Sequence, residues 1–385
     1  MSSGSLRCTR HSLDRKTTEI DALIGDQVNK SSLFQSKAAD PRLRVRHRHL
    51  RLDWCSGTDW YATRGYEIWH SVDHGMTWTH KSTLNTGWGN RICRFPLLAQ
   101  VGRLGIHNLA CLSSGTILCV THSVVHRSID GGVTFVPVFT EFRGRRPLRQ
   151  ALCEDDTGRV YLGEYWLNEE RDAVRLWRSD DDGVNWFAVH TWPAGSIRHI
   201  HFVQFDAHEK LLWVGTGDRG PECQIACSRD GGVSFSAVGR GSQIWRAVSA
   251  LFTPEAILWG TDIGMGDADQ PNYIVRWDRS TGALEKLMQT SGPVYYSAQT
   301  LDGVLVIGRA VEKGQNETDR NVHLYWSRDH HTWESVRLWR RYPSPAVCGP
   351  AAITFPVSNE PLPRLFFNVQ MVLSRHNGSM FEFVV

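Results

Sequence analysis

Short runs rich in Val, Ile, Leu and aromatic residues recur down the chain from about residue 43, and between them lie clusters of Ser, Asp, Gly and Thr. Apolar runs of this kind, closed off by turn residues, predict β-strands joined by hairpins. Four of the turn clusters copy one eight-residue pattern, Ser-x-Asp-x-Gly-x-(Thr/Ser/Asn)-(Trp/Phe): Ser71 to Trp78, Ser128 to Phe135, Ser179 to Trp186 and Ser228 to Phe235. Their starts are 57, 51 and 49 residues apart. A period of that size marks an array of supersecondary units such as propeller blades.

The pattern has a mechanical reading. The Asp side chain accepts from backbone N–H groups ahead of it, as in an Asx turn, and the Gly (Gly75, Gly132, Gly183, Gly232) supplies a positive φ. The closing Trp or Phe is large enough to pack between neighbouring units. These residues resemble the Asp-box, or BNR, repeat of sialidases and related propellers. The resemblance implies that each box joins the third and fourth strands of a blade, away from the active face, so Asp73, Asp130, Asp181 and Asp230 are expected to be structural.

Eroded copies extend the count. Ser327 to Trp333 begins 99 residues after Ser228, twice the period, with a further damaged copy expected around 277–282. Ser374 to Phe381 keeps the Ser, Gly and aromatic 47 residues later, leaving Phe381 to Val385 as a final strand. Leu52 to Thr58 aligns with Ala110 to Thr116, which makes the first unit complete as well. The expected fold is all-β, a seven-bladed β-propeller over residues 43–385, with six blades as the alternative if the first and last units share one. Residues 1–42 form a polar segment with room for one short helix near Thr18 to Val28 and no apolar run of signal-peptide or membrane-spanning length. Nine cysteines, an odd number without an export signal, point to free thiols and a cytoplasmic location. Cys223 and Cys227 lack two further zinc ligands and read as structural. A net charge of +3 says little about partners.

In a propeller the innermost strands start, and the second strands end, on the face opposite the boxes, so residues at those positions converge on one funnel. The inner-strand positions hold His49, His107, Arg149, Gln150, Arg198, His199, His201, Arg246, Tyr295, Tyr296 and Cys348. Second-strand ends add His122, Glu164, Tyr165, Asp218, Asp262, Arg309 and Glu312. Blade packing does not require so many titratable groups. Trp88, Trp166 and Trp245 are placed to rim the funnel, and the connections Leu167 to Ala173, Gly264 to Tyr273 and Glu312 to Val322 to wall it. Arg143, Arg145 and Arg146 extend an anion site or lie on an exposed loop. Arg44, Arg46 and Arg48 alternate along a strand and read as a solvated edge, with no stacked-aromatic platform for nucleic acid.

Guanidinium groups hold carboxylates, His and Tyr move protons, and three imidazoles can hold one divalent metal ion. An acidic saccharide fits that inventory, with no nucleic acid or membrane partner expected and no oligomeric state indicated. Sialidases carry an Arg triad, a Tyr nucleophile paired with Glu, and an Arg-Ile-Pro signature. This chain offers only Arg94-Phe95-Pro96, placed after a box. By architecture a seven-bladed ring with axial histidines also looks like propeller-fold polysaccharide lyases, including oligogalacturonate lyases. The leading expectation is cleavage of a uronate-containing saccharide by β-elimination: Arg198 and Arg246 bind the carboxylate with Arg149, His199, Tyr296, Arg309 and Glu312 around them, His201 is the base and Tyr295 protonates the leaving oxygen. The metal variant uses His49, His107 and His201; no other cofactor is called for. The alternatives are a sialidase-like hydrolase drawing a carboxylate pair from Glu164, Asp218, Asp262 and Glu312 near Tyr165, and a non-catalytic scaffold or glycan-binding propeller.

Overall fold

The computed structural model describes residues 40–385 except 88, 90, 91, 94–98, 100–103, 265–269, 313, 315, 344–348 and 359. The helix expected near Thr18 to Val28, Trp88, the Arg94-Phe95-Pro96 motif and Cys348 lie outside the described residues. No described helix is long and apolar enough to cross a membrane.

The regular secondary structure of the described residues is almost wholly β-strand, in antiparallel sheets of consecutive strands. Five sheets have four strands each and span residues 51–83, 108–139, 152–192, 199–240 and 251–290. The remaining eight-stranded sheet divides, by its pairings, into two four-stranded units. One covers 294–340. The other is made of Ala351–Thr354, Leu365–Gln370, Met380–Phe383 and, as its outermost strand, Leu43–His47 from the other end of the described chain. The strands of these two units pair through Ala310↔Ala352 and Val311↔Ala351.

The apolar core explains the order of the sheets. Its clusters sit between consecutive units: Tyr61 and Ile68 of the first sheet pack with Leu109 and Cys119 of the second, and Leu118 and Phe139 of the second with Leu152 and Trp177 of the third. The largest cluster brings Val306 and Leu324 together with Phe367 and Phe381 and with Trp60 of the first sheet. The sheets therefore bury their faces against each other in sequence order and the last meets the first, the arrangement of a β-propeller.

The four repeat turns each join the third and fourth strands of their sheet. In the second, Ser128 Oγ donates to Asp130 Oδ1 at 2.7 Å and accepts from Gly132 N at 3.0 Å, while Thr134 donates to Asp130 through N (2.9 Å) and Oγ1 (2.6 Å). Gly132 adopts φ 84°. The glycine also lies against the preceding sheet, since a Cβ on Gly183 would meet Leu118 at 2.8 Å. The terminal aromatic does the same: Trp186 stacks on Phe139 at 5.4 Å, and Phe235 lies 5.4 Å from Trp192. Each turn thus locks a hairpin and one inter-sheet contact together.

Two expectations about the ends change. The turn in Ser374 to Phe381 joins the second and third strands of its unit, not the third and fourth, because the fourth is Leu43–His47. Arg44 is exposed on that outer strand, as expected, while Arg46 donates to the buried Glu382 at 2.7 Å and Arg48 lines a cavity.

Hydrogen bonds from Thr77 hold the Asp73 carboxyl down at about 2, and those from Ser234 hold Asp230 at about 2. Their stabilisation is fully present above the ordinary carboxylate range near ~3.9 and is lost as pH falls towards the folded values. The melting temperature is expected to hold between pH 7 and 5 and to drop below about pH 4. Calorimetry on the Asp73→Asn/Asp230→Asn double variant should give a lower value at pH 7 and a shallower fall; an unchanged pH slope would contradict this role.

Candidate functional site

A cavity of about 1700 Å³ opens where the inner strands of the sheets converge. Seven arginines line it, Arg48, Arg51, Arg64, Arg145, Arg146, Arg149 and Arg198, against two acids, Glu67 and Asp218. His49, His107, Tyr165, Trp166, His199, Tyr295 and Tyr296 complete the polar and aromatic lining. Arg143 lies over the Trp166 ring at 5.7 Å. The excess of guanidinium makes this wall a field for anions.

The densest chemistry lies at one side. His199 and His201 come together on the strand His199–Asp206, whose pairing carries a bulge between Ile200 and Phe202 with His201 as the extra residue, a device that re-aims a side chain. Asp218 follows the adjacent strand Leu211–Gly217, which pairs with it. The two Nε2 atoms are 3.0 Å apart, and Asp218 Oδ1 is 3.2 Å from His201 Nε2 and 3.5 Å from His199 Nε2. Their Nδ1 atoms face carbonyl oxygens, Trp166 O at 2.8 Å for His199 and Ala247 O at 3.1 Å for His201. Burial pushes the His201 imidazole down to about 4, so the ring is neutral at physiological pH. Burial works against ionisation of Asp218 too, yet its carboxyl lies far below the ordinary range, with the Arg246 and Arg198 guanidiniums in contact with its two oxygens. Arg198 Nη1 bonds Asp218 Oδ2 at 2.6 Å.

Arg246 Nη2 touches Asp218 Oδ1 at 3.0 Å and Asp262 Oδ2 at 3.2 Å. Asp262 goes the opposite way to Asp218: burial, with the charges of Glu312 and Asp218, raises its carboxyl well above the usual range despite Arg246. Tyr295 donates its hydroxyl to Glu312 Oε1. Burial, then Glu312 and Asp262, raise that phenol well above its ordinary value. Tyr165 packs on His199 with ring centroids 4.2 Å apart.

Several expected site residues have other work. Glu164 is fully buried and its carboxylate is consumed by Arg143 N (2.8 Å), Arg175 N (2.9 Å) and Trp177 Nε1 (3.0 Å), so it is no member of an accessible carboxylate pair. Arg309 is fully buried and clamps Glu317 (3.0 Å), Asp319 (2.6 Å) and the Asn321 carbonyl, fixing the 312–322 connection instead of holding substrate. Arg246 is spent on two carboxyl groups and does not line the cavity. His201, the expected base, is buried and does not line the cavity, whereas His199 does. Trp245 stacks on Trp259 at 5.4 Å rather than rimming the funnel. Among the described residues, the one group of three ligand atoms lying within 4.8 Å of each other is His199, His201 and Asp218; His49 and His107 are not part of it. Cys223 donates to the Arg219 carbonyl at 3.1 Å.

Sequence reasoning missed Asp53. It is fully buried on the strand Arg51–Ser56 and joins Arg51 (2.8 Å), Arg149 (2.9 Å) and Thr63 (2.6 Å), fixing two cavity arginines. An acidic residue inside an apolar run was the available signal. Glu169 was also passed over; from the expected wall segment it reaches Arg198 at 2.6 Å.

No protein-family model matches the chain. Over 257 residues, 56% of this chain, it is 24% identical to the xyloglucanase Xgh74A of Acetivibrio thermocellus, and the match spans only 29% of that relative's length. Among solved structures, the GH74 enzyme of Niastella koreensis superposes with a TM-score of 0.50 at 15% identity, covering 76% of this chain and 46% of that one. YCF48 bound to D1 peptide superposes at 0.54 with 13% identity, covering 89% and 93%, and YCF48 from Cyanidioschyzon merolae at 0.53 with 12% identity, covering 89% and 98%. These likenesses support the β-propeller.

Replacing Glu164 by Gln puts an amide donor where three donors converge. The expected cost is roughly 2–4 kcal/mol, read as a lowered denaturation midpoint; an unchanged midpoint would free Glu164 for another role.

Proposed function

We propose that the chain is a carbohydrate-active enzyme of the glycoside hydrolase type, built on a seven-bladed Asp-box propeller, that takes an anionic saccharide into the arginine-lined cavity. The observation that carries this reading is Tyr295, which lines that cavity and donates its hydroxyl to Glu312. A phenol held this way is a weak acid that stays protonated until its oxygen bonds to carbon, and Glu312 then takes the proton. In the proposed cycle Tyr295 Oη attacks the anomeric carbon, Glu312 accepts its proton, and the leaving oxygen takes up a proton relayed from Asp262. Water then cleaves the tyrosyl intermediate and the protons return. Retention of configuration follows from two displacements at one carbon. Arg145, Arg146 and Arg149 line the same cavity and would bind the substrate's anionic group. The local likeness to a xyloglucanase supports glycan cleavage.

A second reading is a non-catalytic scaffold. The near full-length likeness to YCF48, solved with a bound D1 peptide, favours it.

The test is incubation with xyloglucan, uronate oligosaccharides and sialylated oligosaccharides, with products read by mass spectrometry and ultraviolet absorbance. An anionic substrate should be hydrolysed without new absorbance, with Tyr295→Phe and Glu312→Gln each lowering kcat by about 10³-fold or more in folded protein, in the range of lost nucleophilic and acid–base catalysis. Growing absorbance would assign β-elimination with Tyr295 as proton carrier. Cleavage of the neutral glucan alone would remove the anionic substrate, and no product from any of them would leave the scaffold.

A further inference from the structure

We propose that His199, His201 and Asp218 form a binding site for one divalent first-row transition-metal ion, open to the cavity. The case begins with lone pairs. Trp166 O and Ala247 O can only accept, so His199 and His201 each carry hydrogen on Nδ1 and present Nε2 as a bare lone pair. Those lone pairs face each other at 3.0 Å with an ionised carboxylate oxygen 3.2 and 3.5 Å away. Three acceptors at these distances repel unless a cation lies between them.

The spacing suits a metal ion. Ligands about 2.1 Å from a common ion are about 3.4 Å apart in a tetrahedron and about 3.0 Å apart in an octahedron. Two of the three edges, 3.0 and 3.2 Å, fall in that interval and the third, 3.5 Å, lies just above it, whereas a single proton bridges one edge well and leaves another lone pair unserved. The surroundings also match a metal's outer shell. Both imidazoles are oriented by backbone carbonyls, and Asp218 is oriented by Arg198 on Oδ2 and Arg246 on Oδ1, leaving a second lone pair on Oδ1. Three carboxylates, Asp218, Glu312 and Glu169, stand around two guanidiniums, Arg198 and Arg246, so part of a divalent charge is compensated locally. Two nitrogens and one carboxylate select zinc, manganese, iron or cobalt over calcium and magnesium. Since His199 and Asp218 line the cavity, the remaining coordination positions point to where a substrate oxygen or water would sit, the pattern of a working rather than a structural site. The site stands apart from whether Tyr295 attacks a sugar, and metal binding is read without substrate.

The experiment is elemental analysis of full-length protein purified without chelators, followed by dialysis and titration with Co²⁺ and Zn²⁺. The expected result is about one equivalent, a visible cobalt d–d band, and at least a tenfold weaker affinity in His199→Ala and Asp218→Asn, with His49→Ala unchanged. X-ray absorption of the zinc-loaded wild type should show two imidazole nitrogens, which keeps the test decisive if either variant fails to fold. Less than a tenth of an equivalent with no cobalt band at millimolar metal, or a first shell without imidazole, overturns the site, as does binding that both folded variants retain or that His49→Ala removes.

Discussion

Everything in the ring depends on one antiparallel pairing, that of Leu43–His47 with Met380–Phe383. Sheets that bury both faces against neighbours leave two raw faces unless the last meets the first. Here the outermost strand of the last unit comes from the other end of the chain, so the closing contact is made of backbone hydrogen bonds as well as apolar packing. Trp60 meets Phe366 edge-on at 4.8 Å, and the core runs from the 294–340 unit through the last sheet into the first. The funnel exists because that circuit is complete: Arg149 reaches Asp53 and the Phe355 carbonyl, contacts that span the join.

Local features were legible and convergent ones were not. A repeat turn is closed by residues two to four apart, such as Ser128, Asp130, Gly132 and Thr134, so its pattern is written contiguously. The placement of Arg149, Arg198, His199, Tyr295 and Tyr296 on the cavity wall also follows from strand position alone. What strand position cannot tell is whether a charged group is already engaged. Arg246 and Arg309 occupy ring positions equivalent to exposed ones, but Asp262, Asp218, Glu317 and Asp319, distant or on loops, claim them first. The same holds for the histidines. His49 and His107 precede the first strands of other sheets, while the third ligand beside His199 and His201 is an aspartate just past the neighbouring strand, a relation of register rather than of equivalent blade positions.

The cluster around Asp218 and Arg246 shows why one wall can host opposed chemistry. Asp218 and Asp262 share Arg246 Nη2, at 3.0 and 3.2 Å, yet one is driven to stay ionised and the other to stay protonated. The difference is burial and neighbours: Asp218 meets Arg198 as well as Arg246 at the cavity edge, while Asp262 is deep, with Glu312 and Asp218 as like charges. Groups pushed apart in this way supply acid and base from the same residue type.

The closing seam has a mechanical consequence. Leu43 pairs with Phe383 and His47 with Met380, so the ends of the two strands that lead away from the seam emerge side by side. Tension between the two flanking chain segments would load the hydrogen bonds one pair at a time, as a zipper, rather than all at once in shear. A pull on the segment before Leu43 would therefore peel that outermost strand pair by pair, whereas Met380–Phe383 is held on both sides and would resist.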